Sequence, residues 1–146
     1  MARIMPYRYC THVTLAVALL AAGAARAADI QLSLIGAPVG SSVHAELIAL
    51  PAEDWDGEPV QRLRSSEDLH FADVAPGRYA VRLFVDRNGN GRLDTSRRGI
   101  PREPVGFSAN PPLAEGLPPP EAAAFEHGEQ ATLLLIRLRQ DRRGEP

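Results

Sequence analysis

Short runs in which apolar and polar residues alternate one by one, each broken by Gly or Pro, constrain this chain most. A strand sends successive side chains to opposite faces, so such a run buries one face of a sheet and leaves the other wet. Ile30, Leu32 and Leu34 alternate with Gln31 and Ser33, until Gly36-Ala37-Pro38 intervenes. Val43, Ala45, Leu47 and Ala49 repeat the pattern up to Pro51. Tyr79, Val81, Leu83 and Val85 give the clearest run, and Thr132, Leu134, Ile136 and Leu138 the last. Weaker runs span residues 60–64 and 69–74. Pro76-Gly77 reads as a hairpin turn between Phe71 and Tyr79. Leu133 and Leu135 add apolar groups to the second face of the last run, which predicts a central strand. The expectation is an all-β chain, an antiparallel β-sandwich of about seven strands.

Between the last two clear runs lie residues 86–120, rich in Gly, Pro and Asn and without periodicity. A stretch this long inside a compact domain has a function or its own local structure. Glu121, Ala122, Ala123, Ala124 and Phe125 read as one helical turn, since Ala favours helix. Phe107, Leu113, Leu117 and Phe125 are the apolar residues able to anchor the loop.

The start of the chain is of another kind. Arg3 and Arg8 precede an apolar stretch over residues 13–25, and Ala25-Arg26-Ala27 follows with small residues. That is the layout of a secretory signal peptide. The stretch falls short of the roughly 20 apolar residues that a membrane span needs. Cys10 precedes the stretch, which argues against a lipoprotein anchor. The reading is a signal peptide over residues 1–27, a sandwich domain over 28–138 and a flexible tail over 139–146, in the periplasm or secreted. One domain suits a chain of 146 residues.

Export changes the chemistry available. Cys10 is the single Cys, so the mature domain has no disulfide and no thiolate metal site. Loss of Arg3, Arg8 and Arg26 takes the net charge from −2 to −5. An acidic domain is a poor match for nucleic acid, which selects basic patches.

One segment carries chemistry. After the run that ends at Val85 comes Asp86-Arg87-Asn88-Gly89-Asn90-Gly91-Arg92-Leu93-Asp94. Oxygen side chains at the first, third, fifth and ninth places, with Gly at the sixth, match the front half of an EF-hand calcium loop. Calcium takes roughly six to eight oxygens, and one chain supplies them only by curling around the ion. Asp86, Asn88, Asn90 and Asp94 would offer side chains and Arg92 its carbonyl. The last place of the pattern holds Arg97 instead of Glu, and a strand leads in, so this is no EF-hand. Glu103 is the nearest further carboxylate, and the affinity expected of so few charges is about 0.1–1 mM. An alternative stays open. Asn88-Gly89 and Asn90-Gly91 are turn dipeptides, and a metal-free turn would have Asp86 and Asp94 bonding main-chain amides.

Other polar residues read blandly. His44, His70 and His127 lack ligand spacing and are placed on the surface. Ser41 and Ser42 lack a nucleophile context. Glu53, Asp54 and Asp56 read as a solvated loop with Trp55 packed on the sandwich end. Arg97 and Arg98 offset the acidic loop.

Three longer motifs then bear on identity: Ala75-Pro76-Gly77-Arg78-Tyr79-Ala80-Val81, the segment from Asp86 to Asp94, and Gly99-Ile100-Pro101-Arg102-Glu103-Pro104-Val105-Gly106-Phe107-Ser108. Together they resemble the bacterial domain-of-unknown-function family 2141, over about residues 29–138. The later Pro120-Glu121-Ala122-Ala123-Ala124-Phe125 is similar to a family segment that has an aromatic where this chain has Ala122 or Ala123. The resemblance implies export and a transthyretin-like or carboxypeptidase-regulatory-like sandwich, and no activity. It also suggests that residues 99–108 fold back over 86–94, with Phe107 as an apolar plug and Glu103 as an added ion ligand.

The functional expectation is an exported, non-enzymatic binding or structural module, with calcium as the candidate cofactor. A cell-envelope hydrolase and a subunit docking on an unidentified envelope protein are the alternatives.

Overall fold

The computed structural model describes residues 25–113 and 116–140. The segment read as a signal peptide therefore lies outside the described residues up to position 24, and the tail lies outside them from 141 onward.

Eight strands and one 3-10 turn make up the fold: β1 (Ala28–Ile35), β2 (Val43–Ala49), β3 (Gln61–Ser65), β4 (His70–Val74), β5 (Gly77–Val85), β6 (Val105–Phe107), the turn at Pro120–Ala123, β7 (Ala124–His127) and β8 (Thr132–Arg137). They form a β-sandwich. One sheet has the order β4-β1-β8; the other runs β3-β2-β5, with β6 and β7 sharing the far edge of β5. All pairs are antiparallel except β1 with β8, which run parallel. Among the described residues no helix is long and apolar enough to cross a membrane.

The alternation does what the sequence implies. Val43, Ala45 and Leu47 of β2 and Tyr79, Val81, Leu83 and Val85 of β5 point inward and meet Ile30, Phe71 and Ile136 from the other sheet. Each such side chain, fully buried, stabilises by roughly 1.5–3 kcal/mol.

Three expectations need correction. Phe71 and Tyr79 do not form a hairpin: β4 pairs with β1, so Pro76-Gly77 carries the chain from one sheet to the other. Tyr79 fixes that crossing. Its hydroxyl donates to Ala75 O at 2.9 Å, and a Cβ on Gly77 would meet its ring at 3.0 Å. The last strand is an edge rather than central, with β1 as its one neighbour in the sheet, and its Leu133 and Leu135 face solvent. The helical turn stops at Ala123, and residues 124–127 extend as β7. Arg139 exchanges two main-chain bonds with Val105, each of 2.8 Å.

A second apolar cluster explains the long aperiodic stretch. Ile48 and Ala80 point to the outer face of the larger sheet, where Trp55, Val105, Phe107 and Ala123 cover them. Phe107 plugs this cluster as expected, its ring centroid 5.5 Å from that of Trp55. Leu93, Leu113 and Leu117 pack against the same cluster, and Phe125 against the inner one.

Candidate functional site

The loop 86–104 leaves β5 at Val85 and returns at β6. Val85 N donates to Pro104 O and Asp86 N to Ser42 O, both at 2.9 Å, so the loop starts and ends on the sheet. Its far end is a small hairpin in which Thr95 pairs with Pro101 and Ser96 N donates to Ile100 O at 2.8 Å.

Two buried carboxylates organise the rest. Asp86 Oδ1 accepts Gly89 N at 2.7 Å and Oδ2 accepts Gly91 N at 2.9 Å. Both glycines sit at positive φ, 74° and 73°, which side chains rarely adopt. Burial alone would raise the Asp86 carboxyl. The hydrogen bonds from Gly91 and Gly89, helped by His44 and Arg64, outweigh it and hold the group below its ordinary value. Glu103, 4% exposed, works from the returning arm. Its Oε1 accepts Arg87 N at 2.8 Å and its Oε2 accepts Asp94 N at 3.2 Å. The 99–108 segment thus does fold back over 86–94. Pro101 and Pro104 flank Glu103 and restrict its backbone.

A third group lies at the surface. Asp94 Oδ2 receives Asn88 Nδ2 at 2.6 Å and Asn90 Nδ2 at 3.0 Å. The carboxamide oxygens turn back to the main chain: Asn88 Oδ1 accepts Asn90 N at 3.1 Å, and Asn90 Oδ1 accepts Arg92 N at 2.8 Å.

The structure therefore divides the six candidate ligands. Asn88, Asn90 and Asp94 converge at one point, Arg92 follows beside them, and Asp86 and Glu103 face main-chain amides. Among the described residues no three His, Cys, Asp or Glu side chains gather as metal ligands. Calcium asks for roughly six to eight oxygens. Asp94 and the two carboxamides that meet it are fewer donors than such an ion takes. To take the ion, both carboxamides would have to present oxygen where they now present nitrogen. The metal-free turn matches at Asp86; Asp94 instead accepts side-chain donors.

His44 was not legible as part of this neighbourhood. It stacks on Phe84, its cross-strand partner, with ring centroids 5.0 Å apart. Its Nε2 lies 3.3 Å from Asp86 Oδ2. Among the described residues this buried nitrogen has no hydrogen-bond partner. The next cross-strand pair is Glu46 with Arg82, an ion pair that Arg62 joins from β3. Arg82 also lies over the Trp55 ring, 5.5 Å from its centroid. Glu46 and Arg82, with Phe84, Arg92, Leu93 and Leu117, line an open cleft of about 340 Å³ beside the loop. Period-two alternation puts His44, Glu46, Arg82 and Phe84 on outward faces, but only the strand register brings them together.

The remaining candidates resolve simply. His127 is buried, contrary to expectation: its Nδ1 meets Thr132 Oγ1 at 2.8 Å, and its Nε2 faces Ala28 O and Val74 O at 3.2 Å each. It ties β7, β8, β1 and β4 together at one end. His70 is at the surface, where the Asp68 hydrogen bond and charge raise its pKa. Trp55 is packed away, its Nε1 donating to Pro118 O at 2.6 Å. Ser41 Oγ donates to Pro38 O at 2.7 Å. Arg97 and Arg98 sit exposed at the hairpin tip and are not within ion-pair reach of Asp86 or Asp94.

No curated protein and no solved structure matches the chain. A family model described as "Uncharacterized protein conserved in bacteria (DUF2141)" matches residues 51–134. That span omits β1 and β2 and is narrower than the sequence motifs suggested. It contains Trp55, Val105, Phe107 and Ala123, which cover the outer face, and the whole 86–104 loop. On this match, the chain belongs to the DUF2141 family of uncharacterized bacterial proteins.

Proposed function

We propose that the protein is an exported, non-enzymatic β-sandwich module of the periplasm or the extracellular medium, and that loop 86–104 is its ligand-facing element. The observation carrying this reading is the investment in that loop. Asp86 and Glu103 are buried to fix the amides of Arg87, Gly89, Gly91 and Asp94. Burying carboxylates is unfavourable unless such bonds compensate. A connector with no task beyond joining two strands has little need of them. The result is a rigid loop presenting Asn88, Asn90 and Asp94 to solvent. The ion proposed for these residues is calcium, at an affinity of about 0.1–1 mM. The non-enzymatic part is supported by the structural duties of Ser108, His127 and Glu103.

Calorimetric titration of calcium into the protein and its Asp94→Ala variant tests the ion. A saturable heat that the variant lacks supports it. No heat well above the expected range removes calcium and leaves the loop as a rigid platform.

A second reading, docking on an envelope protein, is favoured by one observation: β8 is an edge strand that exposes two leucines.

A further inference from the structure

We propose that the cleft between loop 86–104 and the outer face of the larger sheet binds a small organic carboxylate with an apolar body, held by Arg82 and Arg92. The proposal rests on reading this loop as ligand-facing. It names a ligand class for a place that the candidate ion ligands Asn88, Asn90 and Asp94 do not line.

Arg82 carries the argument. Its side chain is only 19% exposed. Its guanidinium is fixed on one side by Nη2, which donates to Glu46 Oε2 and, at 3.4 Å, to Trp55 O. Its flat face lies over the Trp55 ring. Nε and Nη1 donate to nothing among the described residues. Neither is sealed from solvent, since the buried unpartnered side-chain nitrogen among those residues is His44 Nε2. A cation held in place with donors to spare, on the wall of a cleft, suits an incoming anion.

The charge around it points the same way. Glu46 is shared between Arg62 and Arg82, one oxygen to each. One carboxylate cannot balance both. Arg92, on the loop wall of the cleft, is exposed and has no ion-pair partner among the described residues. Three arginines against one glutamate leave a positive surplus here, and neither Asp86 nor Asp94 lines the cleft. The chain as a whole carries −2. That net charge repels a polyanion and leaves a single carboxylate as the better match.

The apolar part of the ligand follows from the other walls. Phe84, Leu93 and Leu117 line the cleft, half-buried, with their inner sides packed on the outer cluster. A volume of about 340 Å³ lies at the small end of ligand sites, roughly 300–1,000 Å³. The cleft is open, so a small acid should bind weakly, on the order of 1 mM.

An NMR titration of the isotope-labelled protein with phenylacetate is the test. The expected result is a saturable shift of the amides at Arg82, Phe84 and 91–95. Phenylacetamide, which lacks the charge, should shift them far less. Arg82→Gln should weaken phenylacetate by about ten-fold or more, the loss of a charged hydrogen bond. Arg92→Gln changes an exposed side chain, so folding is not at stake, and it should also weaken binding; Arg92→Lys should restore most of it. Arg98→Gln, at the hairpin tip, should have no effect. N-acetylphenylalanine separates two sources of the same chemistry: tighter binding than phenylacetate assigns the cleft to a peptide C-terminus, and weaker binding to a free acid. No shift at concentrations well above the expected range overturns the proposal. So does equal binding of phenylacetamide, or binding that ignores both Arg82→Gln and Arg92→Gln. Asp94→Ala should leave phenylacetate binding intact, so failure at the cleft and failure of the calcium reading are told apart.

Discussion

The hydroxyl of Ser108 and the main chain of Val81 are joined at a break between two strands. β6 pairs with β5 at residues 82–84 and β7 pairs with it at 77–80, so Val81 faces neither. Ser108 fills the interval. Its Oγ accepts Val81 N at 2.8 Å, and its own N donates to Val81 O at 3.0 Å. The same hydroxyl donates to Ala123 O. Ser108→Ala leaves a buried amide unpaired and should cost about 1–3 kcal/mol. Urea denaturation of both proteins measures it, and an unchanged midpoint would contradict this account.

Glu103→Gln tests the latch on the loop. A carboxamide has one acceptor where the carboxylate has two, so it can hold Arg87 N or Asp94 N but not both. The expected cost is about 1–3 kcal/mol, the penalty for one unpaired amide. Hydrogen exchange should quicken at Arg87 and Asp94 while the β5 amides stay protected. Uniform quickening along the chain would mean that Glu103 supports the whole fold rather than this loop.

Acid should act on the loop through Asp86. Its folded pKa is lowered from the ordinary 3.8 by Gly91, Gly89, His44 and Arg64 against the opposing effect of burial. Stability from this group is therefore fully present above about pH 3.8 and is lost as pH falls through the lower folded value. In Asp86→Asn that part of the acid dependence should vanish. Chemical denaturation between pH 6 and pH 2, at roughly unit steps, compares the two slopes. Parallel slopes would refute the assignment.

His70 titrates the other way. The Asp68 hydrogen bond raises its pKa above 6.5. Its stabilising effect is fully present below about pH 6.5 and fades as pH rises through the higher folded value. Both partners are exposed, so the effect is small. An NMR titration of the His70 ring should shift to lower pH in Asp68→Asn.

Gly106 is a packing requirement. A Cβ there would lie 2.5 Å from Ile136 Cγ2 and 3.0 Å from Leu83 Cδ1. Gly106→Ala should cost about 1–3 kcal/mol through overpacking. A thermal melt reads it directly, and an unchanged Tm would show that the two side chains yield freely.

Much of this was legible, and the misses have physical causes. β1, β2, β5 and β8 were found because each buries one face, which writes a period of two into the sequence. β6 was not, because three residues among Gly and Pro are too few to show a period. The β4–β5 hairpin failed because Pro76-Gly77 marks a change of direction without saying in which sheet the chain continues. β8 was misplaced because Leu133 and Leu135 look the same in sequence whether a layer covers them or not. At the site, Asp86 and Glu103 stood out through the motif and the flanking prolines. Their division of labour did not, since a carboxylate facing amides and one facing a cation are spelled alike. His44 and Arg82 needed the β2–β5 register.

The outer apolar cluster gives the molecule three layers where a sandwich has two. Loops ordinarily absorb insertions and sequence drift because little depends on them. Here Leu93, Leu113 and Leu117 roof a sheet, so change in the connection is coupled to the integrity of β2 and β5. Freedom to vary is left to the exposed tip around Arg97, Arg98 and Gly99. If relatives differ in what they recognise, that tip is where the fold permits them to diverge.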